Sequence, residues 1–289
     1  MTRSISSNTL LILLLLVTIS GCGSDETRQV REGRGCKAPY ADLGETKIYF
    51  EVHGSGYPIL MLHGGFSNLE IWEYQIPVLS EEYQVIAMDS RGHGRSTDTE
   101  GPITYELLAS DAVELLDCLG IERAHVVGWS DGGVAGLHMG ITYPERLDKL
   151  VAIGATAQGA GSLYDLFDVM FRNRLLFDFM MDLLFRSDYE RLNPDPEQWP
   201  VFRDKMFELW GGECYFSPEV GEECMAPLEG IANEVLVMAG ELEMIRKEHT
   251  EALHQHIPNS ELLFIPLGTH MVMQERPEEV NEAILDFIQ

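Results

Sequence analysis

Residues 124–137 read Ala124-His125-Val126-Val127-Gly128-Trp129-Ser130-Asp131-Gly132-Gly133-Val134-Ala135-Gly136-Leu137. A short apolar run enters, a helix-compatible run leaves, and a G-x-S-x-G turn joins them. A serine at such a turn sits in a strained backbone conformation, with its hydroxyl raised off the sheet edge. The flanking positions must lack bulk so that strand and helix can approach closely, which suits Gly128 and Gly132. The pentapeptide alone recurs by chance in many chains. Its weight therefore depends on what the rest of the sequence supplies.

Outward from this turn, strand-like and helix-like segments alternate. Residues 46–52 alternate in polarity, and 58–62 are continuously apolar, as in a central parallel strand. The second run ends in His63-Gly64-Gly65-Phe66, after which Ser67 is placed to cap a short helical stretch that Pro77 interrupts. Residues 83–88 form the next strand and close in Asp89-Ser90-Arg91-Gly92-His93-Gly94. Residues 104–119 carry apolar side chains at helical spacing, with Gly120 as the stop. Residues 149–153 are another buried strand. Alternation then ceases: 156–230 is helical, aromatic and Met-rich, with a break at Asn193-Pro194-Asp195-Pro196. It resumes with a strand at 234–239, a helix bearing His249, Leu253 and Ile257, a strand at 262–265 and a closing helix from Pro277.

This order predicts an α/β fold with a doubly wound, mostly parallel sheet. Residues 43–155 and 231–289 form its core. Residues 156–230 form a helical cap over the strands' C-terminal edge, where such sheets bind ligands. Most aromatic and Met side chains of the cap are expected to pack, and a few to face a pocket.

The chain has 289 residues, with 47 acidic and 20 basic side chains and a net charge of −27. Phosphate binding needs a basic surface, so nucleic acid is not an expected partner. The 45% hydrophobic content suffices for one large core. Cysteines stand at 22, 36, 118, 214 and 224, with no C-x-x-C pair and no Cys/His cluster at zinc-ligand spacing, so no metal and no cofactor is expected. Cys118 reads as a buried helix residue. Cys214 and Cys224 are close enough in sequence to bond if the chain is exported.

Residues 1–21 combine Arg3 with an apolar run from Leu10 to Val17, too short to span a bilayer, and read as a secretory signal. The segment Ile19-Ser20-Gly21-Cys22 resembles the bacterial lipobox. That resemblance implies that Cys22 becomes the first mature residue and is lipidated, tying the exported protein to a bacterial membrane, with palmitate among the expected acyl groups. Residues 22–42 lack apolar periodicity and read as a flexible tether.

A serine hydroxyl becomes an effective nucleophile when an imidazole takes its proton and a carboxylate holds that imidazole. His125 and His138 fall within elements, and His249, His254 and His256 on a helix expected to be exposed. His270 instead follows a buried strand in Pro266-Leu267-Gly268-Thr269-His270, on a short loop. For the acid, the strand ending at Ala239 leads into Gly240-Glu241-Leu242-Glu243. The loop after Ile153 contains no carboxylate.

With these motifs in this order, residues 43–289 resemble the α/β-hydrolase superfamily. The resemblance implies Ser130 as nucleophile, His270 as general base and acid, and Glu243 as the acid, with Glu241 the alternative. Both carboxylates are Glu where the family's G-D-x-D pattern has Asp. It also implies oxyanion donors from the backbone N–H of Asp131 and of Phe66 or Gly65. Phe66 is expected to line the pocket and Trp129 to pack beneath the turn. His63 is expected to brace its loop, and Arg91 to Gly94 to form a structural turn. A serine in place of a carboxylate nucleophile excludes dehalogenase and epoxide hydrolase chemistry. The expected activity is a carboxylesterase acting on a small molecule with an apolar acyl or aryl group. A lactonase, amidase or C–C hydrolase, or an inactive binding lipoprotein, is the alternative.

Overall fold

The computed structural model describes residues 36–159, 162–217 and 221–289. The expected signal segment, Cys22 and the tether up to residue 35 lie outside the described residues.

Nine strands form one sheet in the described residues. They are β1 (Cys36–Lys37), β2 (Tyr40–Asp42), β3 (Lys47–Gly54), β4 (Pro58–Leu62), β5 (Gln84–Met88), β6 (Ala124–Trp129), β7 (Leu147–Ile153), β8 (Glu234–Gly240) and β9 (Ser260–Ile265). Their spatial order is β1-β2-β3-β5-β4-β6-β7-β8-β9. From β5 to β9 every pairing is parallel, while β1, β2 and β3 form an antiparallel edge. This explains the two kinds of strand in the sequence. All six residues of β6 are buried, because helices cover both faces. Strand β3, near the edge, keeps its alternation.

The helix Tyr105–Leu119 starts at Thr104, whose Oγ1 accepts the Leu107 N–H, and stops at Gly120 in a left-handed conformation. At the short 3-10 helix Leu69–Trp72 the cap is Asn68, one residue later than expected, because its carboxamide oxygen accepts the Glu70 N–H at 2.9 Å. The helical insertion lies between β7 and β8. It comprises the helices Asp165–Arg172, Arg174–Leu184, Arg186–Leu192 and Trp199–Trp210, followed by the 3-10 segment Gly221–Gly230.

One expectation needs correction. Residues 36–42 belong to the sheet and not to the tether. Ala41 is fully buried and pairs with both Cys36 and Ile48, so the edge of β3 captures this stretch. Cys118 is buried in its helix, but it is also disulfide-bonded to Cys36, 82 residues away in sequence. A partner that distant leaves no local spacing signal. Cys214 and Cys224 are bonded as well.

Candidate active site

The turn after β6 is built as its residues dictate. Ser130 adopts φ 53° and ψ −119°, outside the regions that L-residues favour, and the helix Asp131–Thr142 begins at once. A Cβ on Gly128 would collide with the Gly132 carbonyl, and one on Gly132 with that of Leu62. Strand, turn and helix meet backbone to backbone, and only glycine permits it.

His270 arrives on the loop after β9, and Glu243 on the loop after β8. The His270 Nε2 lies 3.0 Å from the Ser130 Oγ, and its Nδ1 lies 2.7 Å from a Glu243 carboxylate oxygen. A carboxylate only accepts, so Nδ1 carries the proton and Nε2 is free to accept the serine's. The same carboxylate oxygen accepts the Met244 N–H at 2.7 Å. Glu243 is buried, whereas Glu241 is exposed and accepts the Leu267 N–H at 3.3 Å. The geometry thus separates the two glutamates. Gly154, just after β7 at φ 57°, makes room for the longer acid. A Cβ there would stand 3.1 Å from the His270 ring and 3.2 Å from the second oxygen of Glu243.

On the opposite wall, Phe66 has φ 58°, which turns the chain after His63-Gly64-Gly65 toward Ser130. His63 braces this loop: its Nε2 accepts the Ser90 N–H at 2.9 Å, and its Nδ1 donates to the Gly64 carbonyl at 2.7 Å. Burial pushes its pKa down, in keeping with that neutral role. Arg91 makes a buried two-point contact with Asp111, at 2.5 and 2.6 Å, so the Arg91–Gly94 turn is structural as expected. Phe66 sits among Phe177, Phe185, Trp199, Phe202 and Trp210, with ring centroids 5.3–6.0 Å away. This cluster joins the cap to the loop.

A cavity of about 610 Å³ opens over Ser130. Its walls include Phe66, Phe171, Met181, Phe185, Trp210 and Ile245, while Gly65, Asp131 and His270 line it beside the serine. Trp129 is buried in the core, as expected, and also lines the cavity. Its indole N–H donates to the His270 carbonyl at 2.8 Å, holding the histidine loop. Among the described residues no group of three or more His, Cys, Asp or Glu is placed to hold a metal.

Two contributors escape the sequence reading. The Asp131 carboxylate is buried, accepting the Tyr105 hydroxyl at 2.8 Å and the Trp210 indole N–H at 2.9 Å. Desolvation pushes its pKa up, and these two donors oppose the shift. The Asp131 side chain therefore ties the cap's Trp210 and the helix residue Tyr105 to the turn at Ser130. The small and apolar residues throughout its helix were a signal that this helix is buried on all sides. His249, expected to be exposed, is buried instead. Its Nε2 accepts the Ala157 N–H at 3.0 Å and lies 2.9 Å from the Thr156 hydroxyl. The spacing of His249, Leu253 and Ile257, four residues apart, places all three on one buried face.

A model of the alpha/beta hydrolase fold family matches residues 57–193. RutD of Caulobacter sp., named as a carbamate hydrolase, is 31% identical over 259 residues, spanning 83% of this chain and 95% of its own. RutD of Azorhizobium caulinodans, named likewise, is 28% identical over 263 residues, spanning 86% of this chain and 97% of its own. The crystal structure of the enol-lactonase from Burkholderia xenovorans aligns with a TM-score of 0.67 at 23% identity, over 86% of this chain and 99% of that one. The chain belongs to the α/β-hydrolase fold family and is a hydrolase.

Proposed function

We propose that this hydrolase is a serine esterase that cleaves esters of apolar acyl or aryl acids through Ser130, His270 and Glu243. The observation that carries the reading is the hydrogen-bonded line from Ser130 through His270 to Glu243. Ser130 Oγ attacks the acyl carbon as its proton passes to His270 Nε2. The resulting oxyanion is met by the backbone N–H of Asp131 and that of Phe66 or Gly65. His270 then gives the proton to the leaving alkoxide oxygen, and an acyl-serine remains. Water, losing a proton to the same nitrogen, attacks the acyl-serine, and the acid departs as Ser130 regains its proton. Glu243 keeps Nδ1 protonated and stabilises the imidazolium.

The aromatic and Met-lined walls favour an apolar acyl group over a compact polar substrate such as a carbamate, for which a cavity of about 610 Å³ is far larger than needed. p-Nitrophenyl esters of increasing chain length test this, with Ser130→Ala as control and fluorophosphonate to label the serine. Activity that survives in Ser130→Ala would sink the assignment. Glu243→Gln is expected to lower kcat by about 10³–10⁴ through the wrong histidine tautomer. Glu241→Gln is expected to leave it unchanged.

Export and lipidation of Cys22 complete the proposal. They rest on the signal-like residues 1–21 and agree with two disulfides, which persist in oxidising compartments. Mass spectrometry of the mature N-terminus decides: an unmodified Cys22 rejects the anchor.

A further inference from the structure

The cap helix Arg174–Leu184 buries Phe177 and Met181 against the core, yet much of its remaining apolar surface faces outward. Leu175 is 83% exposed, Phe179 63% and Leu183 65%. Recurring every fourth residue, they form one stripe along the helix. Leu176 and Leu184 widen it, and Val169 of the preceding helix is exposed as well. Scattered exposed leucines are ordinary on a protein surface, but a continuous stripe marks a contact surface.

The helix's charges border this stripe and are paired. Asp178 pairs with Arg174 at 2.7 Å and with Arg203 at 3.2 Å. Asp182 accepts from the Trp199 indole at 2.7 Å and pairs with Arg203 at 2.8 Å. Both acids thus engage residues of the helix Trp199–Trp210. The exposed side chains of the stripe itself are apolar, and the partly exposed Arg174 and Asp182 that border it are paired, in a chain whose net charge is −27. The stripe also leads somewhere: Leu184, half exposed, lines the cavity over Ser130 together with Phe185.

We propose that this face docks on a zwitterionic phospholipid bilayer and admits acyl substrates from it along the stripe to Ser130. The proposal rests on the reading of Cys22 as a lipid anchor and of Ser130 as an esterase nucleophile. From Cys22 to Cys36 the chain spans at most about 50 Å, so an anchored domain stays close to the bilayer and needs only to present the right face. An uncharged bilayer suits the stripe better than a second copy of a chain this acidic, which like charge would repel. No helix among the described residues is long and apolar enough to cross a membrane, so the contact is interfacial.

The test uses the full-length, processed protein on phosphatidylcholine vesicles with and without brominated acyl chains. The Phe179→Trp variant is expected to lose fluorescence on brominated vesicles, well beyond any loss in the wild type. A Leu175→Glu/Phe179→Glu/Leu183→Glu variant is expected to hydrolyse a soluble short-chain ester as the wild type does. It should lose about tenfold on a long-chain ester carried in vesicles, since interfacial binding scales with buried apolar area. A protein that sediments with vesicles but is not quenched overturns the docking alone, and a dimer in detergent would then assign the face to a second copy. A protein that does not sediment overturns the anchor and the docking together. A wild type inactive on the soluble ester overturns the esterase reading, while quenching still decides the docking.

Discussion

At the scale of single residues, the site is held by groups that never touch a reacting atom. The Asp131 carboxylate shows this. Asp131 lines the cavity, while its side chain is taken out of water and satisfied by Tyr105 and Trp210. A buried acceptor that loses a donor keeps its desolvation cost without compensation. Tyr105→Phe is therefore expected to lower the unfolding free energy by about 1–3 kcal/mol, read as a fall in urea midpoint at unchanged slope. An unchanged midpoint would mean that the hydroxyl contributes nothing to Asp131.

At the scale of elements, the loop after β7 depends on a histidine from another part of the chain. His249 accepts the Ala157 N–H, so protonating that nitrogen would set N–H against N–H. Burial lowers its pKa from 6.5 to about 4. The unfolded chain thus takes up a proton that the folded chain refuses. The stability from neutral His249 is fully present above pH 6.5 and is lost as pH falls toward 4. Urea unfolding of the wild type is expected to weaken by on the order of 1–3 kcal/mol over that interval, relative to His249→Gln, which cannot titrate. Because Thr156 and Gln158 line the cavity, the same protonation is expected to loosen its wall. Parallel curves for the two proteins would remove His249 from the pH response.

At the scale of the whole molecule, the Cys36–Cys118 bond ties the first described strand to a helix 82 residues later. Closing so long a loop restricts the unfolded chain strongly. Replacing both cysteines by Ala is expected to cost about 2–4 kcal/mol and to lower the Tm measured by calorimetry. Neither cysteine lines the cavity, so activity on soluble esters should survive below that Tm.

Much of this was legible in the sequence, wherever the governing interaction is local. Hydrophobic runs and their stops marked the parallel strands and the helix Tyr105–Leu119, because periodicity and caps act within a few residues. The serine turn was legible because Gly128 and Gly132 answer a steric demand four positions apart. His270 and the two glutamates could be placed on strand-end loops by their order alone. What the sequence could not decide were choices between residues with equal local credentials. Glu243 rather than Glu241 faces His270 because the loop after β8 buries one and exposes the other, and because Gly154, from β7, leaves space. Cys36, read as tether, became a strand because β2, itself captured by the edge of β3, offered it an unpaired edge. Asp131, His249 and Trp129 acquired their partners from elements 26 to 141 residues away. The sequence by itself determined the parallel strands, the helix Tyr105–Leu119, their order and the strand-end loops that carry Ser130, His270 and the two glutamates. The tertiary structure decided which side chains meet, since contact between distant segments depends on how the packed layers bring them together, not on spacing along the chain.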